Sequence, residues 1–197
     1  WLIAGSALDL WSRAGRGAVS ARLGRLRRLP RADWGKAMAH GGLGVTVIGI
    51  AALLAWQVED IRSVPAGGSF DLGAYSVTLE GVDRVEGPNY ISQMATMTVR
   101  RGDGVVAVLH PEKRLYPVAG MPTTEAAIDN GLFRDLYLVI GDQQADGAWA
   151  VRSYVKPFAN WIWGGAVLMA LGGLVSLTDR RLRVAAGAAR PSAVPAE

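Results

Sequence analysis

The sequence has 197 residues, of which 50% are hydrophobic, with 25 Gly, 7 Trp and a formal net charge of +4. It contains no Cys, which excludes structural disulfides, thiolate metal sites and a cysteine nucleophile. Its length allows one or two domains. The hydrophobic residues are unevenly distributed, so their positions are more informative than the overall composition.

The first segment, residues 1–12, is apolar and begins without a charged region, which argues against a signal peptide. We interpret it as the end of a transmembrane helix whose first half is missing; the alternative is a short amphipathic helix. Residues 13–36 then carry eight Lys or Arg and one acid, Asp33. Such a cluster can bind nucleic acid. Because it directly precedes a hydrophobic segment, we interpret it as a basic cytoplasmic loop next to membrane lipid and expect no nucleic-acid partner.

Residues 37–57 and 157–177 have the composition of transmembrane helices. Each contains an uncharged run of about 20 residues, which spans the hydrocarbon core of a bilayer. The basic loop and the basic residues that follow position 178 are separated by two spans, so the positive-inside rule places both in the cytoplasm. Residues 58–156 then face the opposite side, which is the periplasm in a Gram-negative cell. Residues 178–197 form a cytoplasmic tail, and its Ala and Pro content leads us to expect disorder.

The segment 58–156 has the pattern of short strands separated by glycine turns. The clearest example is Gly102-Asp103-Gly104, which predicts a hairpin between Met94–Arg101 and Val105–Leu109. We also expect a short helix at Thr124–Asp129, with Thr123 or Thr124 as its cap. The sequence therefore predicts a membrane α-helical protein with an inserted small all-β periplasmic domain, barrel-like or sandwich-like.

His40 is the candidate site residue, because it is the only group in segment 37–57 that ionises near neutral pH. An ionisable group at membrane depth is costly and is a functional candidate by default. Ala37, Gly41 and Gly44 lie on or beside the same helix face, and their small size leaves a recess that suits a haem with axial His ligation. Small residues also favour helix packing. Haem ligation, another function and a structural histidine bonded to a neighbouring helix or a headgroup therefore all remain open.

The other histidine, His110, precedes Pro111 at an expected strand end, and we interpret it as an exposed loop residue. Two histidines so far apart, one in the membrane and one outside, make no metal pair. The stretch Pro111–Pro117 alternates charges between two prolines and predicts either a solvated strand or a partner-binding edge strand. No phosphate loop, Ser-His-Asp set or paired carboxylate site stands out, so no catalytic residue is assigned.

Several longer stretches occur in a characteristic order and spacing across most of residues 34–183. They are Pro111–Pro117, Met121–Ala126, Gly131–Tyr137, Lys156–Phe158, Asn160–Trp163 and Gly172–Arg181. In this order and spacing the sequence resembles the C-terminal part of the CcmF family, the haem lyase membrane subunit of bacterial cytochrome c maturation.

The resemblance implies a multi-span protein of the bacterial inner (plasma) membrane that takes haem from a haem chaperone of the CcmE type and attaches it to apocytochrome c. The haem vinyl groups are joined to the two Cys of a Cys-x-x-Cys-His motif, with thiol-handling subunits of the CcmH and CcmI types as partners. It also implies a haem b inside the membrane, held by two histidines from different helices, with quinol as a candidate electron donor. By position, His40 matches the second of these axial ligands, bound to the haem iron.

The Trp-rich haem-handling motif of the family, its two flanking histidines and the other haem b ligand have no counterpart in these residues. We therefore do not expect this segment by itself to act as a haem lyase. We expect it to supply one haem b ligand and a periplasmic domain. The alternative function is a non-catalytic docking and assembly module for the haem chaperone, apocytochrome or thiol-handling partners.

Overall fold

The computed structural model describes residues 1–179; residues 180–197, which make up most of the expected tail, lie outside the described residues. The described residues divide into two compact units, one made of residues 1–48 and 161–179 and the other of residues 49–160. The described helices are α1 (Leu2–Arg13), α2 (Val19–Leu26), α3 (Arg31–Trp56) and α4 (Ala159–Leu177).

Helix α3 begins at Arg31, directly after Pro30, where the fixed φ angle of proline favours a helix start. The expected basic loop, residues 13–36, therefore contains α2 and the first residues of α3. Within residues 1–179, α3 and α4 are the helices that are long and apolar enough to cross a membrane, by length and composition.

Helices α3 and α4 pack antiparallel through glycines spaced seven residues apart on each helix. A Cβ added at Gly35 would lie 2.5 Å from the Gly172 carbonyl oxygen, and one at Gly42 would lie 2.7 Å from that of Gly165. The Thr46 hydroxyl donates to the Ile162 carbonyl oxygen at 3.2 Å. The absence of side chains at these positions brings the two backbones into direct contact, as in small-residue interfaces between membrane helices.

The second unit is a sandwich of two antiparallel sheets. One sheet has the order β1-β10-β9-β8, and the other has the order β2-β3-β4-β6-β7, with β5 also paired to β4. The strands are β1 (Val58–Val64), β2 (Ser69–Leu72), β3 (Tyr75–Glu86), β4 (Ile91–Arg101), β5 (Gly104–Leu109), β6 (Glu112–Tyr116), β7 (Met121–Glu125), β8 (Ala127–Asn130), β9 (Arg134–Gln143) and β10 (Trp149–Pro157).

The core lies between the two sheets and is built by alternation along the strands. In β9, Leu136, Leu138 and Ile140 are fully buried, and Val77 and Leu79 of β3 meet them from the opposite sheet. The residues between them on β9 point to the other face of the sheet. The expected small all-β domain is confirmed, and its two-sheet arrangement identifies it as a sandwich.

The expected hairpin is also present, with Gly102 at a φ of 56° in the turn between β4 and β5. A glycine adopts this left-handed conformation without the steric cost that a side chain would add. Strand β5 pairs with the Met97–Arg101 part of β4, and β6 pairs with the Ile91–Met94 part of the same edge.

One expectation for this domain is wrong. The short helix at Thr124–Asp129 is absent, because residues 121–125 pair with β6 and residues 127–130 pair with β9. Pairing with distant strands satisfies the backbone groups, and this outweighs the local signal. The stretch Pro111–Pro117 contains a strand, β6, as expected, and because β6 lies between β4 and β7 it is not an edge strand.

Candidate functional site

His40 lies in the N-terminal half of α3, on an exposed side of the helix. Its Nδ1 lies 2.8 Å from the backbone carbonyl oxygen of Lys36, one turn earlier. A carbonyl oxygen only accepts, so Nδ1 donates in this hydrogen bond, and in the neutral imidazole Nε2 then has the free lone pair. The backbone therefore orients the ring and leaves Nε2 available to a metal.

The His40 ring lines a groove of about 330 Å³ between α1 and α3. Leu2, Gly5 and Ser6 line it from α1, and Ala37 lies beside His40 on α3. Asp9 and Lys36 lie at one end of the groove. Apart from these two residues and His40 itself, the groove is lined by uncharged residues.

Asp9 and Lys36 at the end of this groove belong to an ion-pair network. The Lys36 ammonium lies 2.6 Å from the Asp9 carboxylate, and Arg13 contacts both Asp9 at 3.2 Å and Asp33 at 3.0 Å. All four side chains are partly exposed, so the pairs contribute little to stability. Their effect is to connect the ends of α1 and α3 and to neutralise both acids.

The expected recess beside His40 is present on one side only. A Cβ at Gly41 would meet nothing within 4 Å, so this position leaves open space. A Cβ at Gly44 would lie 2.7 Å from Cγ1 of Ile3 and 3.2 Å from Cβ of Leu2. Gly44 therefore provides room for the packing of α1, and it does not widen the recess next to the imidazole.

These residues fit one axial position of a haem, because a single oriented imidazole with a free Nε2 faces an apolar groove. Within residues 1–179 no group of three or more His, Cys, Asp and Glu is placed to hold a metal ion. His110 is exposed between β5 and β6, and its Nδ1 lies 3.4 Å from the Thr96 hydroxyl, as expected for a loop residue.

A second groove, of about 490 Å³, lies on the outer face of the four-stranded sheet. Its base holds Tyr137 and Tyr154, paired across β9 and β10 with their rings edge to face at 5.7 Å. The Lys156 ammonium lies 4.5 Å from the Tyr137 ring centre and 5.1 Å from that of Tyr154. Ile61 adds an apolar side chain that is 58% exposed.

Tyr154 also donates a hydrogen bond of 2.8 Å to the Glu59 carboxylate. Desolvation raises the pKa of the Tyr154 phenol, and this hydrogen bond raises it further. The groove thus combines two aromatic rings with the Lys156 cation and a phenol that stays protonated.

Neither tyrosine is among the site residues predicted from the sequence. The signal that could identify this face is Tyr137, which lies between two core residues of β9 and therefore points outward.

The charged strand β6 forms a self-contained cluster. Arg114 donates to Glu112 at 2.9 Å and stacks over the Tyr90 ring at 4.4 Å, and Tyr90 packs against Tyr116 at 5.7 Å. The Arg114 guanidinium holds the pKa of Glu112 below its usual range, and the same hydrogen bond raises the pKa of Arg114. These charges are paired with one another within the domain, which argues against a partner-binding edge strand.

A hydrogen-bonded junction connects the loop before β9 with the start of α4. The Asp135 carboxylate is buried and accepts from the Gly131 amide at 3.0 Å and from the Asn160 side-chain amide at 2.9 Å. Phe158, which has a positive φ of 55°, donates its backbone N–H to the Phe133 carbonyl oxygen at 2.9 Å. Two of the stretches that carry the sequence resemblance, those beginning at Gly131 and Asn160, therefore contact each other in the fold.

Comparison with known proteins gives consistent matches. A family model described as the CcmF C-terminal beta-sandwich matches residues 55–157. The cytochrome c-type biogenesis protein ccl1 of Rhodobacter capsulatus is 59% identical over 196 residues, which cover 100% of this chain and 29% of that protein. CcmF of Escherichia coli is 44% identical over 165 residues, which cover 84% of this chain and 26% of that protein. The chain thus spans less than a third of the length of these relatives.

A solved structure described as Cytochrome c Heme Lyase CcmF has a similar fold. It matches with a TM-score of 0.65 and 18% sequence identity, over 90% of this chain and 34% of that chain. At this identity the likeness concerns the fold, which is a β-sandwich flanked by helices.

Proposed function

This chain belongs to the CcmF family, and we propose that it works in cytochrome c maturation as the C-terminal part of a haem lyase membrane subunit. The match to the family model and to the relatives confirms the resemblance seen in the sequence motifs. In the proposed reaction, haem passes from a haem chaperone to the Cys-x-x-Cys-His motif of apocytochrome c. The present residues contribute one axial ligand of a membrane haem b and a periplasmic β-domain.

In this proposal α3 and α4 cross the inner membrane in opposite directions. Their length, apolar composition and glycine contact support the assignment. Residues 13–36 carry eight Lys or Arg against one acid, whereas residues 58–156 carry nine Lys or Arg and 13 acids. The positive-inside rule then places the basic segment in the cytoplasm and the β-domain in the periplasm.

The observation that carries the haem assignment is the hydrogen bond from His40 Nδ1 to the Lys36 carbonyl oxygen. This hydrogen bond gives the imidazole the orientation and the tautomer that a haem ligand needs. His40 is also the only ionisable side chain between Ala37 and Trp56. When bound, the haem would supply one-electron chemistry at its iron. The chain's own residues orient the ligand through Lys36 and line one side of it with the apolar surface of α1. A second histidine, from another helix, would hold the haem together with His40.

The test is a His40→Ala substitution in the full-length protein, followed by visible absorption spectroscopy of the purified protein. We expect loss of the b-type spectrum while the protein still folds and inserts. His110→Ala is the matched control, because it removes the other histidine from an exposed loop and should leave the spectrum unchanged. A His40→Ala protein with an unaltered b-type spectrum would refute the ligand assignment.

A second candidate function is docking, and the groove on the outer face of the four-stranded sheet favours it. Tyr137, Tyr154 and Ile61 offer aromatic and apolar surface beside the Lys156 cation, and tyrosines are enriched in protein-binding patches. In this proposal the β-domain binds the haem chaperone, apocytochrome or a thiol-handling subunit of the CcmH or CcmI type.

A Tyr154→Ala/Lys156→Ala double substitution tests the docking function. We expect cytochrome c maturation and co-purification of one of these partners to fall while the membrane haem spectrum is retained. Arg84→Ala/Arg100→Ala, on exposed positions of β3 and β4, is the control. Unchanged maturation and co-purification in the double variant would exclude docking through this groove.

A further inference from the structure

The acids around α2 are already engaged in contacts within the described residues. Asp9 pairs with Lys36 and Arg13, Asp33 pairs with Arg13, and Asp179 accepts from the Ala32 backbone N–H at 2.9 Å. In contrast, five exposed arginines form no ion pair with any carboxylate of residues 1–179. They are Arg16, Arg25, Arg27, Arg28 and Arg31. This part of the molecule therefore has a concentrated and uncompensated positive charge.

The same short helix also exposes apolar side chains. Val19 and Leu23 lie one turn apart on α2 and are 62% and 52% exposed. At 100° per residue they share one side of the helix, whereas Ala21 lies on the opposite side. An exposed apolar side next to many cations is the composition of helices that lie in a membrane interface.

Three contacts hold α2 against the ends of its neighbours. Arg22 stacks over the Trp11 ring at 3.9 Å and donates to the Trp11 carbonyl oxygen at 2.5 Å. Trp34, in the first part of α3, donates its indole N–H to the Leu26 carbonyl oxygen at 3.2 Å. Because α2 is fixed next to the start of α3, it lies where the apolar surface of that helix begins.

We propose that α2 and the five arginines form a binding surface for the headgroups of anionic phospholipids, with Val19 and Leu23 inserted below the headgroups. Arginine side chains recognise phosphate oxygens through paired N–H donors, and basic residues next to a span are attracted to anionic leaflets. A nucleic acid would satisfy the cations but would leave the two apolar side chains in water. The inference rests on the proposed membrane span of α3 and is independent of the role of His40.

The charge component is tested in the full-length protein by replacing Arg27, Arg28 and Arg31 with Gln. The protein is reconstituted in a mixture of phosphatidylcholine and phosphatidylglycerol, and the retained lipids are identified by native mass spectrometry. We expect the preference for phosphatidylglycerol to fall about fivefold for each arginine removed, and to fall with added salt. Arg84→Gln/Arg100→Gln/Arg101→Gln removes the same charge from the β-domain and should keep the preference. An unchanged preference in the Arg27→Gln/Arg28→Gln/Arg31→Gln variant would overturn the proposal.

The insertion component uses the absence of native Cys in this chain. Leu23→Cys is labelled with a polarity-sensitive fluorophore in a full-length protein without other reactive Cys, and Ala21→Cys is the matched control. In vesicles containing phosphatidylglycerol, we expect a blue-shifted emission at position 23 and a water-like emission at position 21. Equal emission at the two positions, or the same shift in vesicles of phosphatidylcholine alone, would contradict the proposal.

These measurements separate the lipid surface from the haem site. Loss of phosphatidylglycerol preference with an intact b-type spectrum supports the lipid surface. A His40→Ala protein without haem should retain the wild-type lipid preference. If the haem assignment fails, the lipid result still stands, and the reverse also holds.

Discussion

The side-chain amide of Asn160 donates to the buried carboxylate of Asp135 over 2.9 Å, across 25 residues of sequence. The same amide nitrogen lies 2.9 Å from the Gly131 carbonyl oxygen, so one side chain in the first turn of α4 binds both the loop before β9 and the first residues of that strand. A buried carboxylate that loses one of its donors is costly, which makes this pair a sensitive point of the β-domain.

Asn160→Ala should destabilise the loop that it binds. Removing the donor leaves the Asp135 carboxylate with fewer partners, at a cost of about 1–3 kcal/mol. Hydrogen exchange of peptides covering residues 127–137 should accelerate on the order of tenfold or more. Asn89→Ala, at an exposed loop position, is the control. Equal exchange in the two variants would show that the hydrogen bond has no energetic role.

Gly42→Ala should weaken the packing of α3 against α4. The new Cβ would lie 2.7 Å from the Gly165 carbonyl oxygen, so the helices would have to separate, at a cost of about 1–3 kcal/mol. Gly173→Ala on α4 is the control, because its Cβ would meet nothing within 4 Å. We expect a lower melting temperature in detergent for Gly42→Ala only. Helix propensity favours Ala over Gly in both variants, so a similar decrease for both would exclude the contact with the Gly165 carbonyl as the cause.

Asp179→Ala should loosen the first turn of α3. The Asp179 carboxylate accepts from the Ala32 N–H, a group that has no partner within its own helix. We expect a loss of about 0.5–2 kcal/mol, seen as faster exchange of the amides near residue 32. Asp179→Asn keeps an acceptor oxygen and removes the charge, so it should show a smaller effect. Equal effects of Ala and Asn would assign the stabilisation to the charge alone.

The Glu112–Arg114 pair should contribute to the acid sensitivity of the β-domain. Because the Arg114 guanidinium lowers the pKa of Glu112 in the folded state, the unfolded state binds the proton more tightly. The contribution is fully present above the ordinary glutamate pKa, about 4.3, and is lost as the pH falls through the lower folded value. Glu112→Gln should reduce the pH dependence of the melting temperature in this acid range. A variant with the wild-type pH profile would exclude this pair as a source.

The sequence identified the features that depend on composition and local pattern. The apolar runs, the basic segment before α3 and the strands at Leu136–Ile140 and around Gly102 can each be found by reading a window of residues, because hydrophobicity, charge and turn preference are local properties. His40 also stood out for this reason, as an ionisable residue within an apolar run.

The tertiary structure decided which distant residues meet. Gly44 was expected to open the recess beside His40, but Ile3 packs against it, and this depends on the position of α1. Residues 124–129 were expected to be helical, but β6 and β9 pair with them on either side. The Asn160–Asp135 bond and the cap from Asp179 are likewise set by packing and strand register. Such contacts join residues that no local window contains, so the sequence determined the elements of this protein and only the fold determined their partners.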